Sequence, residues 1–128
     1  MEAGSKLRSA AALWRRKHIE EVLISPRLDD ATSRCFRQGL HRLGVHWDIG
    51  MEVNSIELVE AYVANGCGIG ISMTVPGRKL PPGLRALPLR DFPPIQIGML
   101  WRRHPSRVVC ALMEALRSAA QRMQKGDR

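Results

Sequence analysis

Met51–Met73, MEVNSIELVEAYVANGCGIGISM, decides the fold, because it reads as strand, helix, glycine turn and strand in immediate succession. Met51 and Val53 close an extended run. Asn54 then stands three residues before Glu57, the spacing of a capping box, in which a side-chain oxygen accepts from the third helical N–H and the Glu returns to the cap. This predicts a helix starting at Asn54 or Ser55. Ile56, Val59, Tyr62 and Val63 recur at three- and four-residue steps, which predicts one buried stripe with Glu57 and Glu60 away from its centre. Asn65 and Gly66 stop the helix, since they best tolerate the left-handed conformation needed past its end. From Gly68, IGISMTV is an apolar run of strand length, as for a strand buried on both faces. Strand, helix and strand this close together imply a right-handed crossover in a parallel sheet.

The flanking sequence repeats the pattern. Glu21–Ser25, EVLIS, predicts a strand ended by Pro26, which cannot donate to a ladder. Asp29 or Asp30 then caps a helix to about Leu43, with Ala31, Cys35, Phe36, Leu40 and Leu43 on one stripe and Gly44 beyond its end. Asp30 and Arg34 are spaced to pair on its exposed side. Val45 to Val53 supplies the next strand, and two such units in sequence give an α/β layered sheet. Before them, Ser9 to Trp14 predicts a short helix and Arg15 to His18 a basic connector. After Val75, Pro76, Gly77, Pro81, Pro82 and Gly83 mark a surface connection. Leu84–Leu89 predicts a short strand and Ile95–Trp101, IQIGMLW, a longer one, with Asp91, Pro93 and Pro94 between them. Ser106 caps a last helix whose Val109, Leu112, Met113, Leu116, Ala120 and Met123 fall at helical spacing, and the tail from Lys125 is expected to fray.

The bulk numbers fit one soluble α/β domain: 128 residues, 45% apolar and 25% charged. No stretch approaches the roughly 20 apolar residues of a membrane span, and the apolar segment Ser9–Leu13 is too short for a secretory core. Cys35, Cys67 and Cys110 are odd in number and without a CxxC pair, so neither a disulfide framework nor a thiolate metal site is signalled, and a reducing cytoplasm is the default. The net charge of +8 invites a nucleic-acid reading. Its distribution argues against one, because no Lys or Arg occurs between Arg42 and Arg78.

With these elements in place, the chain resembles the C-terminal part of the effector-binding domain of LysR-type transcriptional regulators. The resemblance runs from about Leu7 to about Met123. It is carried by Leu13 and Trp14 followed by EEVLIS, by EVNSIELVEAYVANGCGIGIS, by LPPGLRALPLRDFPPIQIGMLWRR and by the final amphipathic helix. It implies one Rossmann-like lobe of a domain similar to type II periplasmic binding proteins, plus a strand and terminal helix that normally return to a first lobe. On that basis residues 1–20 are an N-terminal short helix and connector, 21–90 the effector-binding lobe, and 91–128 the return strand and helix. No segment reads as the helix-turn-helix of intact relatives, so DNA binding is not expected of this chain. The implied partner is a small-molecule effector; the apolar stripe of the last helix supports a competing reading, an interaction protein pairing with another copy or an intact regulator, and a second competitor is a small basic nucleic-acid-binding protein.

The candidate ligand residues lie where two strands end. Val53, Asn54 and Ser55 begin the second helix, where exposed N–H groups and the positive end of the helix dipole favour an anion. In open α/β sheets ligands lie beyond the carboxyl ends of strands, and in similar regulators a polar residue matching Asn54 contacts the effector. Ser25, Pro26 and Arg27 occupy the equivalent place after the first strand, with Arg27 able to grip a carboxylate bidentately. The competing reading is that Asn54 and Ser55 only cap their helix and that Arg27 is a solvated loop arginine. GCGIG follows a helix where a dinucleotide loop must precede one, so it reads as a turn. His41 and His46 are five apart and share no helix face for a metal. No nucleophile elbow appears, no close pair of carboxylates sits in a context that would shift a pKa, and neither catalysis nor a cofactor is expected.

Overall fold

The computed structural model describes residues 1–75 and 77–126. Its elements in chain order are α1 (Ala10–Trp14), β1 (Leu23–Pro26), α2 (Ala31–Leu43), β2 (Ile49–Val53), α3 (Ile56–Ala64), β3 (Ile69–Gly70) and α4 (Arg107–Gly126). The three strands form one parallel sheet in the order β2-β1-β3. The chain divides into two compact units, the first Met1–Met73 with Leu80–Ile95 and the second the described residues within 74–79 and from 96 onward.

In the first unit the side chains of β1 alternate, and its neighbours sort accordingly. Leu23 packs with Phe36 and Leu40 of α2 and with Ile71, while Ile24 packs with Val59 and Val63 of α3. Successive strand residues point to opposite faces, so α2 and α3 cover opposite sides of the sheet, as the α/β reading requires. Each of the fully buried aliphatic side chains Leu23, Ile24, Val59 and Val63 contributes roughly 1.5–3 kcal/mol. Around the α2 cluster Trp14, Phe36, Trp47 and Phe92 form an aromatic group, with Trp14 and Phe92 stacked at 5.9 Å and Phe36 and Phe92 at 5.5 Å.

Helix ends follow local chemistry. Asp30 caps α2 by accepting from Thr32 N–H at 2.7 Å, and Gly44 closes it with φ of 65°. Ser55 caps α3, accepting from Leu58 N–H at 3.3 Å. Asn54 lies outside that helix and is exposed, so of the two predicted starts the second holds and Ser55, paired with the residue three ahead, takes the capping role. Gly66 with φ of 74° follows α3. Gly70 is required for a different reason, since a Cβ there would meet Val59 Cγ1 at 2.3 Å.

Several expectations need correction. The strand from Gly68 is only Ile69–Gly70, and β2 is shorter than Val45–Val53. In α2 the buried side is Thr32, Ser33, Phe36, Gly39 and Leu40, whereas Leu43 is exposed. Arg34 donates to the Asp29 carbonyl at 3.0 Å instead of pairing with Asp30. In α3 Tyr62 is exposed, and Glu60 is buried with a hydrogen bond from Ser72 Oγ at 3.3 Å, which offsets carboxylate burial. Leu84–Leu89 is not a strand. Leu84 makes one antiparallel bridge to Glu2, Arg85 exchanges its backbone groups with Met1, and Pro88 has no N–H to give. Leu84 and Leu89 nonetheless pack on the core clusters, which accounts for the apolar pattern.

Ile95–Trp101, which begins at the last residue of the first unit and continues in the second, forms no strand among the described residues. Ile97 is 88% exposed and Leu100 101%. A ladder needs a neighbour as well as suitable residues, and among the described residues none pairs with this run. Ser106 Oγ accepts from Val109 N–H at 3.3 Å at the start of α4, as its sequence predicts. The helix continues through Lys125 to Gly126; the rest of the predicted frayed tail, like Pro76, lies outside the described residues.

Candidate functional site

Parallel pairing places the ends of β1 and β2 side by side, with Pro26 and Val53 as Cα partners. The chain leaves β1 into α2 on one face and leaves β2 into α3 on the other. The C-terminal edge between these two strands is therefore the place where the winding reverses, and a crevice opens at such a point because the two connections diverge. Two stretches distant in sequence, Ser25–Arg27 and Val53–Ser55, meet there.

The side chains at this edge differ sharply in availability. Ser25 is 0% exposed and Pro26 is also buried. Ser25 Oγ donates to the Pro26 carbonyl at 2.7 Å and lies 2.8 Å from Ser33 Oγ, and Ser33 Oγ donates to the same carbonyl at 2.8 Å. These groups knit the end of β1 to α2 and form the floor of the edge. Arg27 is exposed and donates through Nε and Nη2 to Asp29 at 3.1 and 3.4 Å. It does grip a carboxylate bidentately, but one from its own chain. That contact, followed by the charge of Arg27, holds the Asp29 carboxyl below its ordinary range. The Arg27 guanidinium is raised by its bonds to Asp29, by the charge of Asp29 and by that of Glu52. Glu52 ties the two stretches together, its Oε2 accepting from Leu28 N–H at 3.2 Å.

The two helix N-termini at this edge are unequal. Asp30 already puts a carboxylate against the first amides of α2, so the favourable dipole position there is filled by the protein itself. At α3 the cap is the neutral, half-buried Ser55 hydroxyl beside exposed Asn54. Glu57 stands in the first turn of α3, so the two helix starts differ at the cap itself, a carboxylate at α2 and a hydroxyl at α3. Sequence reasoning missed Ser33, Glu52 and Asp29 as members of this site. For Ser33 a signal existed: carrying the Phe36 and Leu40 stripe one turn back lands on Ser33, a polar residue on the buried side. Glu52 and Asp29 gave none, because their partners depend on strand register and loop shape.

Among the described residues no group of His, Cys, Asp and Glu could hold a metal ion, and no helix is long and apolar enough to cross a membrane. Cys35, Cys67 and Cys110 are free thiols. The family model described as the LysR substrate binding domain matches residues 7–121. No curated protein and no solved structure matches the chain. LysR substrate-binding domains are parts of regulators, not enzymes, and bind small-molecule effectors. With the family model spanning all but the ends of the sequence, this chain belongs to the LysR substrate-binding-domain family.

Proposed function

We propose that the chain is the effector-sensing lobe of a LysR-type regulator, acting in the cytoplasm, and that it binds a small, preferentially anionic ligand at the β1/β2 edge. The lobe proper is residues 21–90, with 91–128 as the return segment. Asn54 and Ser55 contact the ligand, Val53 positions them, Arg27 exchanges Asp29 for a ligand carboxylate, and Ser25 and Pro26 form the floor. The observation that carries this reading is the reversal of winding between two adjacent strand ends, beside a helix start whose cap is uncharged. In an intact regulator a second lobe closes over such an edge and biases how subunits are arranged.

Succinate is a suitable probe. Titrated into the 15N-labelled chain, it should shift the Val53–Leu58 amides saturably and leave α4 unmoved. Ser55→Asp places a carboxylate at the helix start and should abolish the shift, whereas Ser55→Ala should weaken it while costing about 1 kcal/mol of stability. A flat titration at these amides, or an unchanged response in Ser55→Asp, sinks the proposal.

A second reading has its own support. Leu112, Leu116 and Met123 of α4 are 53%, 45% and 44% exposed, more apolar helix surface than a lone domain usually leaves in water. Pairing with another copy or with an intact regulator accounts for it.

A further inference from the structure

The first unit contains a cleft of about 310 Å³ between α1 with its lead-in and the Leu87–Phe92 segment. We propose that it is a binding site for a planar aromatic acid, separate from the β1/β2 edge. Its floor includes Trp14, Leu89 and Phe92, all half-buried. The two rings are stacked at 5.9 Å with 28° between their planes, and Phe92 is wedged in turn against Phe36. A rigid aromatic floor favours a flat apolar ligand, because little side-chain freedom remains to be lost.

The rim supplies the charge. Arg8 stands on one wall and Arg90 on the other, and among the described residues neither is ion-paired. A guanidinium gives a carboxylate paired donors in a fixed fork. Asp91 is the acidic group on the lining, so the cleft sets two guanidinium groups against one carboxylate. The volume is near the lower end of the roughly 300–1,000 Å³ usual for ligand pockets, which suits one or two fused rings and excludes a dinucleotide.

The walls are held in place by the chain. Arg85 Nη2 donates to the carbonyls of Ser5, at 2.9 Å, and Leu7, and Ala3 N–H donates to the Gly83 carbonyl at 2.7 Å. These bonds fix the segment leading to Arg8 against the segment leading to Leu87. The site therefore exists before a ligand arrives.

The test uses the full 15N-labelled chain and 2-naphthoate, followed by the indole N–H signals of Trp14, Trp47 and Trp101. The expected result is a saturable shift of the Trp14 signal, with Trp101 unmoved. Arg8→Gln/Arg90→Gln should weaken binding roughly tenfold or more through loss of its charged hydrogen bonds, neutral 2-naphthamide should bind weakly to the unaltered chain, and Asp91→Asn should bind 2-naphthoate more tightly. Both arginines are exposed, so the double variant keeps its fold, checked by its unchanged spectrum away from the cleft. No saturable Trp14 shift, equal affinity in the double variant, or equal binding of the amide overturns the proposal. Because it uses no residue of the β1/β2 edge, its failure is distinct from a failure of the succinate titration.

Discussion

Ser33 and its neighbour Thr32 are both buried near the start of α2, yet their hydroxyls have opposite consequences. Ser33 Oγ donates to Pro26 and meets Ser25, whereas Thr32 Oγ1 is buried without a partner. A made hydrogen bond is worth about 1 kcal/mol net, and an unmade buried one costs about 1–3 kcal/mol. Ser33→Ala should therefore lower the urea midpoint by an amount equivalent to about 1 kcal/mol, and Thr32→Val should raise it. Equal effects of the two would contradict this assignment. At Arg27 the readout is pH. Its guanidinium depresses the Asp29 carboxyl, so the contribution of this pair is present above the unfolded carboxylate range and is lost as pH falls through the lower, folded value. Arg27→Gln should move the Asp29 side-chain titration back up toward the ordinary Asp range in NMR. An unmoved titration would mean that the pair does not persist in solution.

At the scale of elements, Gly39 shows how packing overrides propensity. It lies inside α2, where alanine is favoured by about 1 kcal/mol. A Cβ there, however, would sit 2.1 Å from Phe92 Cδ1, and forcing a filled core apart costs about 1–3 kcal/mol. Gly39→Ala should thus lower thermal stability and disturb the Trp14–Phe92 stack, seen as a change in near-ultraviolet circular dichroism. A stabilised variant would show that the ring yields freely. The same contrast explains what could be read from sequence. The strand, helix and turn order from Glu21 to Gly70 was readable because caps, Gly44 and Gly66 act locally. The buried face of α2 was misjudged by part of a turn, since Cys35 and Leu43 look as apolar as Phe36 and only the sheet decides which side turns inward. Leu84–Leu89, with a single bridge from Leu84, and Ile95–Trp101 have strand composition but form no strand among the described residues, and composition alone carries no information about a neighbour. At the candidate site the two strand ends were identified, but the burial of Ser25 and the capture of Arg27 by Asp29 depend on register and loop geometry.

Across the whole molecule charge is unevenly divided. The first unit holds eleven Lys and Arg against ten Asp and Glu, while the second holds nine against two. The exposed apolar side chains of α4 thus belong to a strongly basic unit, and two copies meeting there repel unless salt screens them. If α4 mediates self-association, light scattering should give a mass above the monomer that rises with ionic strength, and Leu112→Glu should return it to the monomer value. A monomeric mass at every salt concentration would exclude pairing through this helix, leaving an intact regulator as the partner to test.

β2 ends the order β2-β1-β3, and its register with β1 slips at Gly50, since Leu23 faces Ile49 but Ile24 faces Met51. An unpaired outer strand is a template on which foreign chains can polymerise, and a bulge spoils the template by bending it and breaking its regular row of donors and acceptors. The irregularity at Gly50 thus equips so small a sheet with its own guard against seeding fibrils.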